Sequence, residues 1–257
     1  MGETVTVTFS GNTDVGRKRA HNEDNFFLLP EENLYVVCDG MGGHASGEVA
    51  SQVAVDSMKD FYLATGKDPD KTWPYKEDRA KDHEVNRLAT AVRFANRNVH
   101  DKAREGAAFK GMGTTVVAMR FLGDRVMIAH VGDSRCYRVR DGKIEQLTED
   151  HSLLNDYKKQ VKLTPEEEAN FPHKNIIVRA LGMKQDVVVD TLDDKVHSGD
   201  IYMACSDGLN GEITDEQMLE IMLAHDTDLE TSTQELIDSA CAHGGRDNVT
   251  VVMARVD

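Results

Sequence analysis

Four β-type runs follow one another in the middle of the chain with only a few residues between them, and nothing else in the sequence restricts the fold as much. They cover residues 114–121, 126–131, 135–140 and 144–147, with turn signals at Gly123-Asp124 and Asp141-Gly142. A parallel connection takes a crossover of about a dozen residues or more, so links this short require antiparallel strands. The spacing predicts a meander. Upstream, Ala50, Val53, Ala54, Ser57, Met58 and Phe61 recur at helical intervals, as do Leu88, Ala91, Val92, Ala95, Val99 and Ala103. These patterns predict amphipathic helices over residues 47–63 and 88–103, able to lie side by side as one layer over a sheet. Residues 66–85, polar and carrying Pro69 and Pro74, read as their connector.

Val5, Val7 and Phe9 predict one face of a half-buried strand that Gly11-Asn12 ends. A charge-dense block over residues 14–25 then leads into the apolar run Phe26-Phe27-Leu28-Leu29. Residues 150–180 lack clear periodicity and are long for a simple connection, which points to a functional element, a flap. Inside it, Thr164-Pro165-Glu166-Glu167 has the order of a helix start. Residues 187–189 and 201–205 read as buried strands, and Thr214-Asp215-Glu216-Gln217 as a capping box. Leu236, Ile237, Ala240 and Cys241 mark a helix that stops at Gly244-Gly245, and residues 249–256 a closing strand.

With 40% hydrophobic and 29% charged residues, the 257-residue chain has an ordinary globular composition. A formal net charge of -15 argues against a nucleic-acid partner, because phosphate backbones are bound by clustered Lys and Arg. The four cysteines show no Cys-x-x-Cys spacing, so neither a zinc knuckle nor a disulfide framework is indicated; Cys38 and Cys205 read as small buried hydrophobes. No apolar run approaches the roughly 18 residues of a membrane span. The cytoplasm is the simplest expected compartment. Met1-Gly2-Glu3-Thr4-Val5-Thr6 fits the loose N-myristoylation pattern, but the alternation of residues 4–9 favours a strand.

Aspartates stand where strands end. The run Leu34-Tyr35-Val36-Val37-Cys38 stops at Asp39-Gly40-Met41-Gly42-Gly43-His44, and Cys205-Ser206-Asp207-Gly208 echoes it. Asp133 follows Gly132 between two strands, and Asp247 precedes Asn248 and the closing strand. Any one of them reads equally well as a turn residue. Gathered at one end of packed sheets, they would raise one another's pKa unless cations neutralised them. Oxygen ligands without paired His or Cys favour Mg2+ or Mn2+. Two such ions lower the pKa of a bridging water and supply hydroxide for in-line attack on phosphorus, chemistry that suits hydrolysis of a phosphate ester. A phosphate entering an acidic site needs a fork-shaped cation, and Arg19 is the candidate.

Six motifs carry a resemblance: Arg19-Ala20-His21-Asn22-Glu23-Asp24, residues 39–44, Gly113-Thr114-Thr115, Val131-Gly132-Asp133-Ser134-Arg135, Ser206-Asp207-Gly208-Leu209 and Arg246-Asp247-Asn248-Val249-Thr250. In this order they span nearly the whole chain, which resembles a catalytic domain of the metal-dependent protein phosphatases of type 2C in their bacterial form. The resemblance implies an α+β fold, a central sandwich of two antiparallel β-sheets flanked by pairs of α-helices, as one domain over residues 1–257 with the flap at about 150–180. It implies that Asp39 bridges two ions, that Gly40 adds a carbonyl, and that Asp207 and Asp247 complete the first ion's ligands. Glu23 would hold the second ion directly or through its waters, with Asp24 supporting it; Asp133 and Asp207 would hold a third, weaker ion. Arg19 matches the phosphate-binding arginine. Met41 departs from the eukaryotic pattern, where a histidine proposed as general acid stands; His44 is the nearby candidate for that proton, with metal-bound water competing.

The expectation is a cytoplasmic Mn2+- or Mg2+-dependent signalling enzyme that dephosphorylates phosphoserine and phosphothreonine proteins, the substrates of a bacterial serine/threonine kinase. It would act as a monomer, without nucleic-acid or membrane partner. No Cys-x5-Arg signature points to a covalent phosphoenzyme. Two rivals are a phosphopeptide-binding module that lost turnover and a metal-dependent hydrolase of small phosphate esters.

Overall fold

The computed structural model describes residues 5–42, 46–67, 73–169, 171–172 and 176–257. In chain order the strands are β1 (Val7–Asp14), β2 (Asp24–Leu29), β3 (Leu34–Met41), β4 (Gly113–Thr114), β5 (Val116–Leu122), β6 (Arg125–Val131), β7 (Arg135–Arg140), β8 (Lys143–Gln146), β9 (Asp190–Lys195), β10 (Ile201–Cys205) and β11 (Val249–Val256). The helices are α1 (Ser46–Lys67), α2 (His83–Lys102), α3 (Leu153–Lys158), α4 (Pro165–Ala169), α5 (Asp207–Asn210), α6 (Asp215–Ala224) and α7 (Leu229–His243).

Two antiparallel sheets result, one ordered β1-β11-β10-β7-β8 and the other β2-β3-β5-β6-β9, with β4 on the end of β3. Their central strands are apolar on both faces, and the two-residue period sorts side chains into separate layers. On β3, Tyr35 and Val37 meet Tyr202, Ala204, Val252 and Ala254 of the facing sheet, whereas Leu34, Val36 and Cys38 pack under α1 and α2. On the opposite side Met203, Cys205, Val251 and Met253 pack under α6 and α7. Three apolar layers therefore separate helices, sheet, sheet and helices, the expected four-layer sandwich. The helix pair α1 and α2 is also tied to its sheet by charge. Buried Arg87 and Arg120 both bond the carboxylate of Glu32, and Arg120 reaches Glu84.

Three expectations are corrected. The chain passes through Gly11-Asn12 without leaving β1, whose residues pair in register with β11 from Val7 opposite Val256 to Asp14 opposite Val249. The glycine marks a close approach instead: a Cβ there would lie 2.9 Å from the Phe26 ring. The meander is also two hairpins in different sheets, β5-β6 and β7-β8, because Gly132-Asp133-Ser134 carries the chain across the sandwich. Residues 187–189 form no strand; the strand is the next segment, β9, with Asp190, Asp193 and Asp194 at a sheet edge where charge discourages further pairing. The start of α4 does carry its cap, with the Glu167 N–H donating to Thr164 Oγ1, and Thr214 and Gln217 form the capping box of α6. Helices α3 and α5 were too short for a periodic signal.

Candidate metal centre

The inter-sheet stripe changes character at one end of the sandwich. Along β2 the phase of Leu28 and Phe26 leads to Asp24, and along β3 the phase of Tyr35 and Val37 leads to Asp39. Likewise Tyr202 and Ala204 lead to Ser206, and Ala254 and Val252 to Thr250. Polar side chains thus replace apolar ones in the same layer, forming the floor of a site. Asp24 sits directly opposite Asp39 in the β2-β3 register, an unfavourable arrangement for two like charges. Ser206 and Thr250 hydroxyls, each 2.7 Å away, donate to Asp24 Oδ2. Asp39 is fixed through its backbone: its N–H donates to Thr115 Oγ1, and its C=O accepts from the Thr115 N–H and the Thr114 hydroxyl.

Glycines let the surrounding segments converge. A Cβ on Gly40 would lie 2.1 Å from the Gly47 carbonyl at the start of α1 and 2.5 Å from that of Glu23. A Cβ on Gly208 would lie 2.0 Å from the Asn248 carbonyl, so the start of α5 touches the loop before β11. Asn248 organises the charge-dense block, accepting the Glu23 N–H and donating to the carbonyls of Val15 and His21. Glu23 in turn accepts the Gly47 N–H through Oε1.

These contacts bring Arg19, Glu23, Asp39, Gly40, Asp207 and Asp247 around a cavity of about 190 Å³, also lined by Ile177 from the 150–180 segment. Asp207 and Asp247 continue into a groove of about 690 Å³ that includes Asp133, Arg135, Asp150 and Lys158. Arg19 bonds Asp247 Oδ2 at 2.6 Å, and both side chains remain partly exposed. Met41 lines the smaller cavity, while His44 lies outside the described residues.

Burial, and after it the charges of Asp24, Asp207, Asp133 and Asp247, holds the Asp39 carboxyl well above the carboxylate range. Burial and Asp247 raise Asp207, although a hydrogen bond with Asp39 works the other way. Asp24 and Asp133 are pushed up to about 7, chiefly by burial and then by neighbouring carboxylates; Thr250 and Ser206 partly offset this at Asp24. Glu23 is raised by burial, against the Gly47 N–H and Arg19. The Oδ1 atoms of Asp24 and Asp133 are buried without a hydrogen-bond partner. Hard oxygen donors that repel one another, with unused lone pairs, fit a divalent Mg2+- or Mn2+-type cation.

Sequence reading brought together Arg19, Glu23, Asp24, Asp39, Gly40, Asp133, Asp207 and Asp247, and all lie at this mouth. It named Ser206, Thr250, Thr115 and Asn248 within motifs but gave them no role; for Ser206 and Thr250 the signal was a polar residue in phase with an inward apolar stripe. It missed a second cluster. Among the described residues, the only three His, Cys, Asp or Glu side chains with ligand atoms all within 4.8 Å of one another are His130, His151 and Asp190.

A four-layer α+β sandwich with carboxylates gathered at one mouth, and Arg19 at its rim, defines the class of metal-dependent phosphatases. The family profile described as Protein phosphatase 2C matches residues 15–243, and the chain belongs to that family. It is 35% identical over 252 residues to the serine/threonine phosphatase stp of Listeria monocytogenes, covering 95% of this chain and 94% of that protein. The crystal structure of the Mycobacterium tuberculosis serine/threonine phosphatase PstP/Ppp superposes with a TM-score of 0.84 at 33% identity, covering 98% and 99% of the two chains. A structure of the PstP catalytic domain in complex with two manganese ions gives a TM-score of 0.79 at 34% identity, with 98% and 99% coverage.

Proposed function

We propose that this chain is a single catalytic domain that hydrolyses phosphoserine and phosphothreonine in proteins, using Mn2+ or Mg2+ held by Asp39, the Gly40 carbonyl, Asp207 and Asp247. The observation that carries this reading is the convergence of the half-buried Asp39, Asp207 and Asp247 with Glu23 and Arg19 on one small cavity, with Asp24 buried opposite Asp39. Glu23 would serve a second ion, with Asp24 held behind it by Ser206 and Thr250. Asp133 and Asp207 would serve a third. When bound, such ions supply acidified water for attack on phosphorus and offset charge on the phosphoryl oxygens. Arg19 orients the phosphate: its pairing with Asp247 leaves the guanidinium at the cavity rim, half exposed, where it can exchange a carboxylate for a substrate dianion. The groove of about 690 Å³ lined by Asp150, Asn155 and Lys158 would receive polypeptide flanking the phosphorylated residue, the substrate of a serine/threonine kinase. The free, buried cysteines suit a reducing compartment such as the cytoplasm; among the described residues no helix is long and apolar enough to cross a membrane.

The test is turnover of a phosphopeptide with Mn2+ by Asp39→Ala and Asp207→Ala. Both should lose nearly all activity while keeping wild-type circular dichroism, and near-normal turnover in both would reject the reading. Running the wild type on small phosphate metabolites, with and without chelator, separates a protein phosphatase from a general phosphomonoesterase and from a binding module.

A further inference from the structure

The turn that changes sheets, Gly132-Asp133-Ser134, is held by one residue far along the chain. The Gly132 N–H donates to His151 Nδ1 at 3.0 Å, and the Gly132 C=O accepts the His151 N–H at 2.9 Å. Gly132 has φ +114 and a Cβ there would lie 2.6 Å from the Thr115 side chain, so this peptide has little room to adjust. The next residue is Asp133, buried, with one carboxylate oxygen unpartnered.

An imidazole that accepts at Nδ1 must carry its proton on Nε2 when neutral. Nε2 lies 3.1 Å from Asp190 Oδ2, which takes that proton as a hydrogen bond. The other oxygen of Asp190 accepts from Arg179 Nη1 at 2.6 Å. His151 stands where the 150–180 segment begins and Arg179 where it ends, and the His151 carbonyl accepts the Val178 N–H. Both ends of the segment are therefore tied to one carboxylate on the edge strand β9. His130 stacks on His151, ring centroids 4.7 Å apart, and its Nε2 is bonded to the Glu149 carbonyl. Both His151 nitrogens are engaged and Arg179 already neutralises Asp190. The trio is a hydrogen-bond relay, although its spacing would also admit a cation.

We propose that His151, held in its Nε2–H tautomer by Asp190, is a positioning residue that sets the peptide carrying Asp133 and links it to the base of the 150–180 segment. The consequence for catalysis rests on the reading of Asp133 as a metal ligand; the link itself does not. Supporting residues of this kind change metal affinity by about 10- to 100-fold when removed.

The test uses the full chain. In wild-type protein with chelator, 15N spectra should show a pyridine-type Nδ1 and pyrrole-type Nε2 for His151, and the Gly132 amide should exchange slowly. His151→Ala should lose that protection and bind Mn2+ in its weakest step about 10-fold less tightly by calorimetry. His151→Asn, whose Oδ1 can accept the Gly132 N–H, should restore most of both. A proton on Nδ1 in the wild type, or equal defects in His151→Ala and His151→Asn, overturns the proposal, as does unchanged Gly132 exchange in His151→Ala. If Asp133→Ala binds Mn2+ like wild type, the reading of Asp133 fails, while tautomer and amide exchange still decide the role of His151.

Discussion

At the scale of single residues, the site is a conflict between charges that the fold maintains. Asp24 and Asp39 face each other across two strands, and hydroxyls of the opposite sheet bond only one of them. Asp39 and Asp207 were legible because Asp-Gly after an apolar run is a local pattern. Ser206 and Thr250 were not singled out because their role exists only when β10 and β11 lie against β2. Arg19 sits on the other side of the balance, at the rim. Replacing it with alanine removes a charge-assisted pair to the incoming phosphate, on the order of 1.5–3 kcal/mol, and should lower kcat/KM by about 10- to 100-fold. The unfolding midpoint should hardly move, since the Arg19–Asp247 pair is half exposed and screened. Steady-state kinetics with urea unfolding checks this; an unchanged specificity constant would exclude phosphate binding by Arg19.

At the scale of elements, what holds α1 and α2 to their sheet is both apolar packing and a buried charge network. The Arg87 guanidinium lies 4.3 Å from the Tyr62 ring centroid, bonds Glu32 with both terminal nitrogens, and reaches Thr65 Oγ1 and the Tyr62 carbonyl. The apolar spacing predicts this helix only over residues 88–103, with residues 66–85 as a connector, so Arg87 lies before its expected start, with nothing to show that it faces inward; the helix begins at His83 instead. Arg87→Ala would leave Glu32 with Arg120 alone and strip several buried acceptors, costing about 3–5 kcal/mol of stability. Arg87→Lys should recover only part, because an ammonium cannot reproduce the planar fork. Urea denaturation measures both; equal stability of Arg87→Ala and wild type would show the network to be neutral.

At the scale of the whole molecule, opposing titrations set the pH response. Asp24 and Asp133, pushed up to about 7 from 3.8, keep protons that the unfolded chain has released. They lower stability as pH climbs from near 4 to about 7. Raised Asp39 and Asp207 act in the same direction. His151, lowered to about 4 chiefly by burial and then by His130, refuses protons the unfolded chain accepts, so its contribution rises with pH from about 4 to 6.5. His130, lowered by burial, shares that sign. The two groups oppose each other, and it is at the carboxylates of the proposed metal centre that cations compete with protons. The gain in unfolding temperature produced by a fixed Mn2+ concentration, relative to chelator, should therefore grow from about pH 5.5 to about pH 7.5. Calorimetric scans at several pH values test this, and a pH-independent gain would exclude carboxylate ligands.

By itself the sequence determined the antiparallel hairpins, the two long helices and the strand-end aspartates, because turn chemistry, side-chain period and residue type act over a few neighbouring positions. It also carried enough ordered motifs to indicate the family. Only the tertiary structure decided that Gly132-Asp133-Ser134 crosses between sheets, that Gly11 is a contact point within a strand, and that β9 is an acidic edge. The same holds for the polar residues that continue the inter-sheet stripe beneath the carboxylates, and for His151, which reaches back across the fold to grip Gly132. Each of these depends on which strands lie opposite one another, a long-range choice that no local pattern encodes.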